Sequence, residues 1–195
     1  GNAELFGSRS AADPLDEFGT RAAAVLGSAA AQLAARREPA VDVLHAHGGG
    51  AALAVACAKS ARPDLACVLS IYDGQPLYPL ENGSADLGIL SASSSAASNA
   101  TSEWDTAIWA AQLAALRLSP SLAGLGVAFA EGVIVNAEST LQTLLSSSEL
   151  STALAAKRGF AAGIVNGVDS SLWNQLIDSN LSARFDATHL AETVK

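Results

Sequence analysis

Two histidines stand two residues apart in Val41-Asp-Val-Leu-His45-Ala-His47, and three glycines, Gly48, Gly49 and Gly50, follow at once. On a strand, residues i and i+2 share a face, so His45 and His47 would present both imidazoles to one side. A glycine turn between a parallel strand and a helix is where α/β domains admit phosphates or other ligands. The dinucleotide fingerprint needs a further glycine in the first turn of the helix, and the run from Ala51 to Ala61 supplies none. A structural turn and a ligand site therefore both stay open. No third Cys, His or carboxylate follows at ligand spacing, so the expectation for a metal is none. Gly-x-Ser-x-Gly is absent and the third histidine, His189, lies near the C-terminus on a helix expected to be solvated. No catalytic residue is assigned. Cys57 and Cys67, on an expected helix and an expected strand, read as buried thiols rather than a disulfide or a zinc pair.

The elements that would carry these residues alternate. A helix from Asp13-Pro14 to near Arg37 has Leu15, Phe18, Ala22, Val25, Leu26, Ala29 and Leu33 at helical spacing. A strand over Val41–His45, the glycine turn, a helix over Ala51–Ala61 and a strand over Leu65–Ile71 make a βαβ unit with a parallel sheet. Residues 73–102 are rich in Gly, Pro, Asn and Ser, lack periodicity, and read as a flexible, solvated insertion. A helix over Glu103–Leu118 follows, with Trp104, Ile108, Trp109, Leu113 and Leu116 as its apolar stripe. A short helix to about Ala130, a strand over Gly132–Val135, a helix over Glu138–Leu145 and a strand over Gly163–Val165 complete the order. The expectation is one α/β domain over 1–195, a partial Rossmann-like three-layer fold with a short parallel sheet flanked by helices.

Composition narrows the partners. Half of the 195 residues are hydrophobic, but much of that is alanine, which favours helices and close packing while adding little core volume. A formal net charge of −8 argues against nucleic acid, which needs clustered Lys and Arg. The pair Arg36-Arg37 suits a helix C-terminus. No apolar run reaches the roughly 20 residues of a membrane span.

Beyond fold class, several stretches resemble the starch and glycogen synthases. Val41-Asp-Val-Leu-His-Ala-His47 is similar to their strand ending in His-Ala-His-Asp-Trp. Ile164-Val-Asn-Gly-Val-Asp-Ser-Ser-Leu-Trp-Asn174, with Asp178, Leu181, Phe185-Asp-Ala187 and Leu190-Ala191, resembles their Asn-Gly-Val-Asp segment, its Trp-Asn-Pro, and the Tyr-Asp-Ala that follows. Phe18-x-x-Arg-Ala-Ala23 and Ala130-Glu-Gly-Val-Ile-Val135 fit in the same order. The resemblance spans Phe18 to Ala191 and implies the second half of the family's N-terminal Rossmann-type domain. It implies that the Lys-x-Gly-Gly loop would lie before residue 1 and the second Rossmann domain beyond Lys195.

The departures shape the functional expectation. Gly48, Gly49 and Gly50 stand where the family has Asp, Trp and a histidine near the transferred glucose. Ser70-Ile71-Tyr72-Asp73 replaces Thr-Val-His-Asn, and Asn136-Ala137-Glu138 replaces Val-Ser-Pro. His45, His47, Gly48, Gly49, Gly50, Tyr72 and Asp73 are thus expected to be vestigial sugar or nucleotide positions. Asn166, Gly167, Asp169 and Trp173 would form a structural turn and linker. Glucosyl transfer needs two domains closing on the donor and cations facing the leaving diphosphate. The resemblance with these losses implies an inactive synthase-like domain serving as a structural or interaction subunit of a larger assembly. The alternative is a piece of a divergent ADP-glucose-dependent glucan synthase, and a glucan-binding module using Tyr72, Tyr78 and Trp173 ranks third. No cofactor is expected, ADP-glucose belonging only to the enzymatic alternative. Other protein subunits are the expected partners, in an intracellular compartment that the plant relatives suggest is the plastid.

Overall fold

The computed structural model describes residues 17–35, 40–72, 79–80, 106–147, 149–157, 160–182 and 184–186. The chain divides into two units, Gly1–Val165 and Asn166–Lys195. In the first unit the order is α1 (Glu17–Ala35), β1 (Val43–His47), α2 (Ala52–Ala61), β2 (Ala66–Ile71), α3 (Thr106–Ala115), α4 (Leu122–Phe129), β3 (Gly132–Val135), α5 (Glu138–Ser147), α6 (Ser151–Ala156) and β4 (Ala161–Gly163). This is an α/β, Rossmann-like arrangement around a parallel sheet of four strands in the order β1-β2-β3-β4.

Register and burial sort the strand residues into two faces. Leu44, Ala46, Cys67, Leu69, Ile71, Val133 and Val135 point to the face against which α2, α4 and α5 pack. That placement follows from right-handed crossovers that all step in one direction along the sheet. The other face carries Val43, His45, His47 and Ala66, all exposed, with Val68 and Ile134 half-buried.

Alanine sets how the helices meet. Seven consecutive residues of α2, Ala52 to Ala58, are buried, because the helix lies between the sheet, α1 and α4. From α1 the buried residues are Ala23, Ala24, Gly27, Ser28, Ala30, Ala31 and Ala34. The expected apolar stripe of this helix is therefore turned outward from Val25 to Leu33, with Val25, Leu26 and Leu33 59%, 45% and 47% exposed, while Leu15 and the Phe18 side chain lie outside the described residues. A small-residue face won because it allows close approach. A Cβ on Gly27 would meet Cys57 Sγ at 2.8 Å, and one on Gly126 of α4 would meet the Ala52 Cβ at 2.6 Å.

Trp109 provides bulk that alanine cannot. It is fully buried on α3, with Nε1 donating to Ser60 Oγ at 3.3 Å. Among the described residues of the expected stripe, Ile108 is the exposed one. Trp104 lies outside the described residues. Helix α3 ends on a left-handed residue, Arg117 at φ 54°, and Leu118 N–H reaches back to the Leu113 carbonyl at 2.9 Å. This is the Schellman pattern, with arginine where glycine is usual.

Strand β4 lies two residues earlier than the Gly163–Val165 run suggests. Val135 pairs with Gly163, and there the chain passes the start of α5 so closely that a Cβ would run into the Ala137 and Glu138 backbone. The β-branched pair beyond it, Ile164 and Val165, is exposed. Helix α6 had no distinct signal among the serines and alanines around it. Of the insertion expected over 73–102, only Pro79 and Leu80 are described. Leu80 is buried and its N–H bonds the Pro120 carbonyl at 2.9 Å.

Candidate functional site

The carboxyl end of β1 and β2 is where the sequence concentrates its chemistry. His45 and His47 alternate with Ala46 on β1, so both imidazoles stand on the exposed face while Ala46 goes into the core. Pairing puts His45 beside Val68 and His47 beside Ser70. Each histidine then bonds the same-face residue one step further along β2. His45 Nε2 lies 2.8 Å from Ser70 Oγ, and His47 Nδ1 lies 2.5 Å from the Tyr72 hydroxyl. The imidazole centroids are 4.1 Å apart and tilted by 35°, and the His47 ring lies nearly parallel to the Tyr72 ring at 6.1 Å.

The glycine turn follows directly. Gly48 has φ 78 and ψ 161 degrees. That conformation is essentially reserved for glycine. Its N–H donates to the Ser70 carbonyl at 2.9 Å, and its carbonyl accepts from Ala51 N–H at 3.1 Å. A 3-10 turn over Gly49–Ala51 leads into α2, with Gly49 buried and Gly50 exposed. The structure thus brings His45, His47, Gly48, Gly49, Gly50 and Tyr72 to one edge, while Asp73 lies outside the described residues.

Ser70 is the member that sequence reading missed as a partner. It is 3% exposed, and its hydroxyl is satisfied by His45. The only available signal was the register, since the 25-residue separation of His45 and Ser70 equals that of His47 and Tyr72. The surroundings of His45 disfavour its charged form. Withdrawal of His45 from water against the sheet lowers its pKa, and the neighbouring His47 lowers it further.

Among the described residues of the first unit, Lys59, Arg62 and Lys157 make side-chain bonds at the opposite, amino edge. Lys59 pairs with Glu131, whose other oxygen accepts the Cys67 N–H at 2.7 Å. Lys157 donates to the Ala130 carbonyl, and Arg62 donates to the carbonyls of Val41 at 2.5 Å and Ala34 at 3.4 Å. Loss of water raises the Glu131 pKa, but the Lys59 ammonium and the Cys67 N–H outweigh it and hold the carboxyl below its ordinary range. Burial pushes the Cys67 thiol up to about 11. It is therefore not a thiolate nucleophile. Cys57 is also a buried thiol. This network ties α1, α2 and three strand starts together and was not legible as a unit in the sequence.

In the second unit Asp169 organises a turn. Its Oδ1 accepts from Ser171 N–H at 2.9 Å, Ser171 Oγ at 2.6 Å and Leu172 N–H at 3.3 Å, which lowers its pKa. Asn174 and Asp178 repeat the pattern toward Leu176 and Asn180. Asn166 and Gly167 are exposed, and a Cβ on Gly167 would meet open space. Trp173 is 73% exposed, and its backbone N–H donates to the Asp169 carbonyl at 2.8 Å.

Among the described residues no group of three or more His, Cys, Asp and Glu is placed to hold a metal ion, and no helix is long and apolar enough to cross a membrane. No protein-family model matches the sequence, and no curated protein matches it.

Proposed function

We propose that this chain is a degenerate synthase-like Rossmann half-domain that acts as a structural or interaction subunit and does not transfer glucose. The observation that carries this reading is the strand order. In open α/β sheets, ligands bind in the crevice where the order of strands reverses. Here β1, β2, β3 and β4 follow one another without a reversal, so the described strands enclose no such crevice. The polar side chains at the carboxyl edge support the same reading. His45 and His47 are bonded to Ser70 and Tyr72, and Lys59, Arg62 and Lys157 are engaged at the far end of the sheet. A departing diphosphate would meet none of these three cations.

An interaction role fits the open surfaces. Val43 on edge strand β1 is 54% exposed, and Val25, Leu26 and Leu33 of α1 face outward. These are apolar areas that a larger assembly would cover. The partners on this reading are other protein subunits, in the intracellular compartment that the resemblance suggests. The test is purification of the chain from its native source, with light scattering and a labelled ADP-glucose transfer assay. Recovery in a stoichiometric complex without glucose transfer is the expected result. Transfer of glucose to a glucan acceptor would overturn it in favour of a divergent glucan synthase, and a well-behaved monomer without activity would remove the interaction role.

A further inference from the structure

We propose that His45 and His47 form a two-imidazole chelate on β1 that captures a borderline divalent transition ion, with Cu(II) preferred over Ni(II) and Zn(II). The inference rests on the geometry of the pair and stands apart from the reading of the chain as a synthase relative.

Three observations carry it. First, both side chains are exposed on the same face of an edge strand, so an ion and its remaining waters reach them without opening the fold. Second, the ring centroids are already 4.1 Å apart. Two imidazoles bound cis to one ion, at a metal–nitrogen distance of about 2.0–2.1 Å, place their ring centres about 4.5 Å apart, so the spacing of the two rings suits cis coordination. Third, one nitrogen of each ring already faces a hydroxyl: Nε2 of His45 faces Ser70 and Nδ1 of His47 faces Tyr72. A metal-bound histidine needs such a partner to fix its tautomer and orientation. With Nε2–H of His45 donating to Ser70 and Nδ1–H of His47 donating to Tyr72, the lone pairs on His45 Nδ1 and His47 Nε2 are left to the ion.

The donor set decides the kind of ion. Two neutral imidazoles and no carboxylate among the described bonds of the pair suit ions that favour nitrogen, and disfavour Mg(II) and Ca(II). Copper leads the divalent series at a nitrogen site. With two protein ligands the site is labile and exchanges its ion, unlike a closed structural centre.

The test uses the full chain carrying His189→Ala, which removes the remaining histidine. Cu(II) is titrated near neutral pH against a competing chelator, and electron paramagnetic resonance reads the bound ion. The expected result is one equivalent per chain with hyperfine coupling from two imidazole nitrogens. His45→Ala and His47→Ala should each abolish the two-nitrogen signal, while circular dichroism shows the fold retained. Tyr72→Phe should keep the stoichiometry and weaken binding by about tenfold, through loss of the orienting hydroxyl. Cu(II) binding that is unchanged in either histidine variant, or no stronger in the parent than in the double variant, would overturn the proposal.

Discussion

The hydroxyl of Tyr72 lies 2.5 Å from Nδ1 of His47, joining the last residue of β1 to the first residue past β2. This bond closes the exposed edge of the sheet beyond the last backbone pairing, His47 with Ser70. Both partners are solvent-exposed, so its contribution is at the low end for a hydrogen bond. Tyr72→Phe is expected to cost less than about 1 kcal/mol in urea unfolding. A larger loss would mean that the bond holds more than the strand ends.

Acid should destabilise the first unit in two stages. The folded-state pKa of His45 is lowered, so the unfolded chain binds its proton more readily, and this part of the stability is lost as pH falls below about 6.5. Glu131 is also lowered in the fold, so its contribution is present above about 4.5 and fades as pH falls further. Melting temperatures followed from neutral to acid pH should show both declines. His45→Gln should remove only the first, and Glu131→Gln only the second.

Glycines should separate crowding from strain. Gly126→Ala forces a Cβ against Ala52 and Leu69. Such overpacking should cost about 1–3 kcal/mol. Gly163→Ala should cost more, because the obstacle is the backbone at Ala137 and Glu138. Gly48 faces open space, yet its backbone angles suit glycine alone. Gly48→Ala should therefore also cost about 1–3 kcal/mol. A Cβ at Gly167 meets nothing. Gly167→Ala should accordingly change stability by no more than about 0.5 kcal/mol, as surface substitutions do. Chemical denaturation of the four variants checks the ranking.

Arg117 offers a change in the opposite direction. It holds a left-handed conformation at φ 54° at the end of α3. That conformation costs a residue with a Cβ about 1–2 kcal/mol. Arg117→Gly should therefore raise stability by up to about 1 kcal/mol, the gain being reduced by the greater entropy of the unfolded glycine. A drop in the urea midpoint would show that the arginine side chain contributes more than its backbone costs.

Much of the fold was legible because local signals and pairing agreed. Gly132–Val135 is a β-branched run bounded by a glycine and by Asn136, and it forms β3 over those residues. Alternation at His45 and His47 correctly put both rings on one face. What failed depends on neighbours distant in sequence. Ile164 and Val165 have the stronger strand propensity, but the length of β3 and the tight pass at Gly163 assign pairing to Ala161–Gly163. The outward turn of Val25, Leu26 and Leu33 could not be read from α1 alone, since it depends on α2 being alanine. Ser70 became a partner of His45 only once the register of two strands was fixed. The Lys59–Glu131 pair likewise joins residues brought close by the sheet, with no signature in the spacing.

The alanine layer between α1, α2 and α4 also bears on how this sequence can drift. A single base change in an alanine codon leads to glycine, valine, serine, threonine, proline, aspartate or glutamate. Across Ala52, Ala54, Ala56 and Ala58, all buried within the contact of three helices and a sheet, every one of these except glycine adds volume, a polar group or both. Glycine itself weakens a helix interior by roughly 0.5–1 kcal/mol. Compensation would need a second change in the facing helix, so substitutions here should arrive in pairs, and descendants of this sequence should vary far more on the outward side of α1 than along α2.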